Sequence, residues 1–429
     1  MKKVLLVSYI ALMNTTPNGR TMRNLLQGIG KENISSLYVL GEADADSCSS
    51  AYKISNHDVL KSIFNFKECG AVQTLSNNSI NSGFSSKEIR KKPKKAFKYL
   101  LRELSWMFGH WKGKKLKQWL KEQAPDYVVY MYGDSPSLQR VSLFISKYLD
   151  IPLVVYSCED YCFKEYNYID KKKHSVSFSI YSRLSKRSTK RLFNHTNALI
   201  CNSDELGELY GQRYPIKNIY TVTMASNIEH LFSPEVKSIE DSKIIYMGAI
   251  GAYRTKALVS IAEALQRIDA RLMLDVYGRV NDPEILKAFE NCKGLRYNGF
   301  VSYEEVQRIT KEAALNLEVI NLDPIVERGK KFGLSTKFAD ALRCGIPFLV
   351  YAPEKMVETI IAKKHNCAFV VSNDSNLDAT LRTALFDYEA RKKQLLCAQE
   401  TTNLLFDAQK NMENVEKALN DATASKNDR

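Results

Sequence analysis

The residues best suited to chemistry lie at 333–347, in the stretch GLSTKFADALRCGIP. Ser335 reads as the N-cap of a short helix, Phe338, Ala341 and Leu342 as its apolar stripe, and Gly345 with Pro347 as its stop. Lys337 and Asp340 are three residues apart and share one face of the first turns. A helix start offers unpaired N–H groups and a positive dipole end, and Lys337 adds a full charge there. That combination suits a pyrophosphate, and the Asp340 carboxylate one turn on can accept two hydrogen bonds from a ribose diol. The same spacing also fits an ordinary surface helix carrying an i,i+3 ion pair.

The block SxKxxDxxxxGxP sits between two strand-like runs, residues 314–320 and 348–351. It resembles the donor-site signature of two-Rossmann-domain (GT-B) glycosyltransferases, most of all the large retaining group called glycosyltransferase family 4. The resemblance implies that Lys337 faces a nucleotide-sugar diphosphate, that Asp340 is the ribose acid, and that Gly345 and Pro347 are the closing pair. Many members carry a second acid eight positions earlier, near the donor sugar. Here that position is Phe332, and Glu327 on the preceding loop is the candidate substitute.

The elements that would position these residues follow from the rest of the chain. A length of 429 residues calls for two domains, each with its own core. The N-terminal half alternates short apolar runs with helical stretches. Residues 4–10, 37–40, 127–132, 153–156 and 198–201 read as buried parallel strands, and a loop over 14–19 leads into a helix over 21–28. Ligand-binding loops in such folds gather at the C-terminal ends of strands. Asn18, Gly19 and Arg20 resemble the glycine loop lining the cleft in these transferases. Asp134 and the Glu159-Asp160 pair follow later strands, and with the glycine loop they form a candidate acceptor side. Each acid fits a helix cap or a turn equally well.

The second domain begins near Ser242. A strand over 243–247 runs into Gly248-Ala-Ile-Gly251 and then Arg254 and Lys256, a phosphate-cradling outline of glycines followed by cations at a helix start. In the family an Arg directly follows the first glycine; here Ala249 stands there, leaving Arg254 or Lys256 to serve. The next strand–loop units end at Gly278 and at Asn298-Gly299-Phe300-Val301-Ser302. The latter resembles the family's turn that contacts the nucleobase through its backbone. The resemblance thus implies nucleotide-sugar contacts by Gly248, Gly251, Lys256, Gly278, Gly299, Val301, Ser335, Thr336, Lys337 and Asp340, and catalytic roles for Lys337, Arg254 and Glu327. The expected division is an acceptor domain over 1–235, a donor domain over 242–385, and C-terminal helices over 386–422 that cross back to the first domain.

Charge points toward a surface partner. From Lys87 to Lys121 there are thirteen Lys or Arg against two acids, with Phe97, Tyr99, Trp106, Phe108, Trp111 and Trp119 interleaved; residues 171–191 carry no acid, and the whole chain is +14. These segments fit solvated helices with an aromatic core, or an anionic membrane surface. No nucleic-acid signature accompanies them. Nine cysteines without CxxC pairs fit free thiols in a reducing cytosol and no zinc site. Asp44-Ala45-Asp46 spells the metal–diphosphate string of single-domain transferases, but such strings are common by chance, so no metal is expected. The opening MKKVLLVSYIALMN imitates a signal peptide yet reads as a first buried strand.

Together these observations predict an α/β protein of two facing Rossmann-like domains. It would be cytoplasmic, peripheral to the membrane and without a cofactor. It would move a sugar from a nucleotide-sugar to a saccharide acceptor in capsule or exopolysaccharide synthesis, retaining and metal-independent, with a lipid-linked acceptor favoured and a polyprenyl carrier one option. The alternatives are a nucleotide-sugar epimerase on the same plan, or a non-catalytic nucleotide- or polyanion-binding protein with a degenerate site.

Overall fold

Strands that are apolar along nearly their whole length, such as VLLVSYI and YVVYM, are suited to a sheet covered on both faces. Two such sheets occur in the computed structural model, which describes residues 2–12, 17–75, 95–164, 166–169, 175–223, 236–239 and 243–427. The first contains β1 (Val4–Ile10), β2 (Ile34–Leu40), β3 (Ser50–Lys53), β4 (Ala71–Val72), β5 (Tyr127–Met131), β6 (Leu153–Ser157), β7 (Ala198–Cys201) and β8 (Ile219–Thr221). Their order is β4-β3-β2-β1-β5-β6-β7-β8, parallel except where β4 returns against β3. The second contains β9 (Lys243–Met247), β10 (Leu274–Tyr277), β11 (Leu295–Gly299), β12 (Ala313–Val319), β13 (Phe348–Tyr351) and β14 (Phe369–Val371). Its order is β11-β10-β9-β12-β13-β14, and all its neighbours are parallel.

Parallel neighbours need crossovers, which helices supply in both sheets. Counted in chain order the second sheet runs 3-2-1-4-5-6, the doubly wound Rossmann arrangement, and its order reverses between β9 and β12. In the first sheet the order reverses between β1 and β5.

The chain divides into two compact units, Met1–Thr223 with Ala408–Arg429, and Met224–Asp407. The closing helices, read from sequence as one block over 386–422, part company. Tyr388–Leu405 belongs to the second unit, where Gln394 accepts from Phe348 N–H at 3.1 Å and Arg391 donates to Ala314 C=O at 3.0 Å. Ala408–Asn427 belongs to the first. Its Val415, Ala418, Leu419 and Ala422 join the core formed by Val4, Leu6, Val129 and Ile200. Asn411 and Asn414 donate to the carbonyls of Thr223 and Thr221 at 2.7 and 2.9 Å. That core is not satisfied by residues before 223 alone.

Two local expectations are corrected. The helix expected from residue 21 spans Pro17–Leu26, so Asn18, Gly19 and Arg20 form its first turn rather than a loop. A proline at a helix start has the right φ and lacks an N–H that would go unpaired there. Gly19 is buried in that turn, and the side chains of Asn18 and Arg20 lie outside the described set. The expected loop over 321–334 contains a helix, Pro324–Lys330, started the same way by Pro324 and capped by Asp323, whose carboxylate accepts from Ile325 N–H at 2.7 Å. Of the two readings of the basic segment's tryptophans, the aromatic core is the one observed: Trp106, Trp111 and Trp119 are all buried, and each indole N–H has a partner at 2.8–2.9 Å.

Two glycines in the second sheet are required for different reasons, one by close approach and one by its positive φ. Gly278 N–H donates to Gly299 C=O at 2.8 Å, and a Cβ on Gly278 would fall 1.9 Å from Gly248 O. Gly299 has φ +75° but open space around the missing Cβ. Gly278→Ala is therefore expected to lower the stability of the second unit by about 1–3 kcal/mol, and Gly299→Ala by about 1 kcal/mol. Urea unfolding of both variants checks the order; equal effects would contradict the close-approach argument.

Candidate functional site

In an open parallel sheet, ligands bind beyond the carboxyl ends of the strands where the strand order reverses. In the second unit that point lies beyond Met247 and Val319, the last residues of β9 and β12. The chain packs an ion pair there. Arg254, in the first turn of the helix Ala252–Ile268, meets Glu318 of β12 at 3.0 Å, and both are buried. The same guanidinium donates to Val319 C=O at 3.0 Å, to Ala249 C=O at 3.3 Å and to the Tyr253 hydroxyl at 2.8 Å. Tyr246 adds a second donor to Ala249 C=O at 2.9 Å. Asn321, just after β12, accepts from Ala257 N–H at 3.0 Å and donates to Ala252 C=O at 2.8 Å. The loop from Gly248 to Gly251 is thus pinned to β12 by side-chain hydrogen bonds.

Arg254, a sequence candidate for diphosphate binding, is consequently committed to shaping the loop. Lys256 is exposed two residues on. Gly251 is the N-cap of the helix.

Lys337 lies against this loop. Its ammonium is buried and has no hydrogen-bond partner among the described residues, 5.5 Å from the Tyr246 ring centroid. A Cβ on Gly248 would sit 1.6 Å from Lys337 Nζ, so glycine at 248 is what lets the amine reach this position. Burial lowers the Lys337 pKa to about 8; Glu318 and Asp340 work against that shift, while Arg254 adds to it. The surface ion pair that the Lys337–Asp340 spacing also fits is thereby excluded as the setting of this lysine.

Lys337 is carried by the helix Thr336–Arg343, whose start is doubly capped. Ser335 Oγ accepts from Lys337 N–H at 3.3 Å, and Glu358 accepts from Ser335 N–H at 2.9 Å. Glu358 is buried, and desolvation together with the charge of Glu318 pushes its carboxyl up to about 7. Asp340 is half-buried one turn along. The side chain of Thr336 lies outside the described set.

The other sequence candidates divide. Gly248, Gly278 and Gly299 come together through the Gly248 and Gly278 N–H bonds to Tyr277 and Gly299 carbonyls, both 2.8 Å. Val301 packs against a small core cluster that includes Tyr277 and Ile309. Glu327 is half-buried on the helix Pro324–Lys330 and hydrogen-bonds neither Lys337 Nζ nor the Arg254 guanidinium. Glu318, Glu358, Asn321 and Tyr246 are site residues that sequence reasoning missed. Glu318 carried a signal, since it is the one charged residue inside the strand-like run ALNLEVI.

In the first unit, Asp134 and Asp160 follow β5 and β6. Asp134 C=O accepts from Arg102 at 3.2 Å and from the Tyr181 hydroxyl. Arg102 lies 4.7 Å from the Tyr99 ring centroid and 5.7 Å from that of Tyr9. Its neighbour Glu103 is fully buried, bonded to Arg102 at 3.0 Å, Ser137 at 3.1 Å and Arg140 at 3.4 Å. Asp160 meets Lys164 at 3.3 Å, and burial raises its pKa despite that cation. Lys164 lies 4.8 Å from the Tyr161 ring centroid. The ends of β1, β5 and β6 thus carry tyrosines interleaved with paired charges. Asp46 of the DxD string faces Lys31 at 3.9 Å. Among the described residues no three His, Cys, Asp or Glu side chains gather as metal ligands.

No sequence-family model matches the chain, and no curated protein sequence does. Solved structures do match over nearly its whole length. Sucrose-phosphate synthase from Thermosynechococcus elongatus aligns with TM-score 0.59 at 12% identity, over 97% of this chain and 98% of that one. Anabaena HepE, solved with UDP and glucose, aligns with TM-score 0.61 at 10% identity, over 98% and 100%. The lipopolysaccharide outer core galactosyltransferase WaaB aligns with TM-score 0.54 at 13% identity, over 97% and 99%. The fold is that of the two-domain GT-B glycosyltransferases.

Two outcomes test the electrostatics. Arg254→Met strands the Glu318 carboxylate in the interior and is expected to destabilise the second unit by about 3–5 kcal/mol. Arg254→Lys should not restore it, because an ammonium cannot make the same fork of contacts; chemical denaturation reads both. Lys337 has a depressed pKa, so its protonated form opposes folding below pH about 8, and that penalty fades between about 8 and the ordinary 10.5. Lys337→Met should therefore stabilise the unliganded protein near neutral pH by up to about 3 kcal/mol. The advantage should vanish by about pH 10.5, as melting temperatures across that range will record.

Proposed function

We propose that this protein is a glycosyltransferase whose second unit binds a nucleoside-diphosphate-sugar and whose first unit holds a saccharide acceptor. The observation that carries the reading is the Lys337 ammonium, buried and without a partner among the described residues, beside Gly248 at the sheet's switch point. A buried cation without a partner is costly, and an incoming diphosphate would supply the missing charge. The dipole of the helix Thr336–Arg343 and its first N–H groups would add to the attraction. Asp340, one turn on, would take the ribose diol.

The chemistry would be mainly electrostatic. As the bond from sugar to diphosphate breaks, negative charge grows on the departing phosphate, and Lys337 would stabilise it from a fixed position. Arg254 would act one step removed, holding Ala249 and Val319 so that the loop and the lysine keep their spacing. On this reading the enzyme belongs with the retaining, metal-independent transferases of family 4, and uridine is the favoured base. HepE, solved with UDP-glucose, supports that choice. The tyrosine-rich ends of β1, β5 and β6 would stack on acceptor sugar rings. A lipid-linked acceptor in surface polysaccharide synthesis is favoured by the basic segments over 87–121 and 171–191, which would hold the enzyme to the anionic cytoplasmic face of a membrane. Among the described residues no helix is long and apolar enough to cross one.

A thermal-shift panel of nucleotide-sugars tests the donor: the right one at a hundred times its dissociation constant adds about 2.7 kcal/mol of stability. Asp340→Asn should then weaken donor affinity about ten- to a hundredfold, while Lys337→Ala should reduce single-turnover rate as well as affinity. Because a bound diphosphate raises the Lys337 pKa from about 8, wild-type binding near pH 8–9 should take up a proton and weaken as pH rises. Calorimetry in buffers of different ionisation enthalpy measures that uptake. Wild-type donor binding and turnover in both variants would remove the nucleotide from this helix.

A further inference from the structure

The helix Ala96–Phe108 is amphipathic in the wrong sense for a protein bathed on all sides by water. Its buried face carries Ala96, Glu103 and Trp106, with Arg102 almost covered beside the fully buried Glu103. Its outer face carries Phe97, Leu101, Leu104 and Phe108, at 56%, 46%, 38% and 66% exposure, with Met107 at 52%. The spacing of the first four, i, i+4, i+7 and i+11, places them on one stripe about 60° wide. Helices in water turn such a stripe to the core and leave charges outside. Here the Arg102–Glu103 pair is held inside by Asp134, Ser137 and Arg140, so the helix cannot rotate without stranding it.

The neighbouring elements extend the pattern. The helix Asn56–Asn65 is joined to this one through the Trp106 indole, which donates to Asn56 at 2.8 Å. It exposes Leu60 and Phe64, at 45% and 77%, and Phe66 follows at 80%. Lys61, Lys67, Lys95 and Lys98 are exposed on these two helices and their flanks. The only acid of Ala96–Phe108 is the buried Glu103, and Asp58 is engaged by Ser55 at 2.6 Å. An exposed apolar patch of this kind marks an interaction surface. A second copy would oppose lysines to lysines, whereas an anionic bilayer accepts apolar side chains at its boundary and meets the cations with phosphates.

We propose that the outer face of the helix Ala96–Phe108, with Leu60, Phe64 and Phe66, inserts into the boundary of an anionic lipid bilayer. This rests on the reading that the enzyme works at a membrane and adds that apolar insertion, not charge alone, holds it there.

Cosedimentation of the full chain with phosphatidylglycerol–phosphatidylcholine vesicles tests it, at low salt and at about 0.5 M salt, where surface charge is screened within a few ångströms. Wild type should bind, with part of the binding surviving high salt. The variant F97S/L101S/L104S should partition on the order of ten- to a hundredfold less while keeping its melting temperature and donor binding. Phe97→Trp, which preserves the apolar face, should show blue-shifted emission quenched by brominated lipid. Unchanged binding of the triple-serine variant together with no quenching would overturn the insertion and leave attachment by charge. Absence of wild-type binding to any vesicle would remove the membrane reading and the insertion with it. A wild-type dimer in solution that the triple-serine variant dissolves would overturn the bilayer as occupant in favour of a second copy.

Discussion

A buried arginine–glutamate pair at the end of β12 is the constraint on which the second unit's site depends. Taking both ions out of water is expensive, and attraction between them repays it only when their remaining hydrogen-bonding groups are also satisfied. Arg254 meets that condition by donating to the carbonyls of Val319 and Ala249 and to the Tyr253 hydroxyl. The pair cannot form unless the loop after β9 closes onto β12. Closure brings Gly248 under the Lys337 amine and leaves that amine buried without a partner. The unmatched charge therefore follows from a matched one beside it.

The two halves of the chain use the same plan to different ends. Each sheet reverses its strand order once, between β1 and β5 in the first and between β9 and β12 in the second. In the second unit the reversal is lined with glycines, an unpartnered cation and a capped helix start, a setting for a small anion. In the first it is lined with tyrosines and compensated ion pairs such as Arg102–Glu103 and Lys164–Asp160. Neutralised charge with aromatic faces is suited to a neutral, ring-shaped ligand.

Much of this was legible in the sequence because it depends on short-range patterns. Buried parallel strands announce themselves as apolar runs, and the helix at Lys337 is framed by Ser335 before it and Gly345-Pro347 after it. What escaped was set by distant contacts. Nothing local distinguishes Arg254 as a clamp from Arg254 as a phosphate ligand; the difference is Glu318, 64 residues away. Glu358 looks like an ordinary first-turn acid until its bond to Ser335 is seen. The start of the helix at Pro17 was misread because proline and glycine serve both as loop residues and as members of a first turn. The tryptophans left two readings open, a core or a surface, because aromatic content does not reveal which way a helix faces.

The assignment of the helix Ala408–Asn427 to the first unit has a consequence for synthesis. Val415, Ala418, Leu419 and Ala422 complete a core whose other members, from Val4 to Val222, emerge from the ribosome about two hundred to four hundred residues earlier. The second unit, by contrast, is translated without interruption between them. The half that begins first must therefore wait with an open apolar seam while the half that begins second is made. Vectorial folding would finish the domains in the reverse of the order in which they start, and chaperone demand would fall on the earlier one.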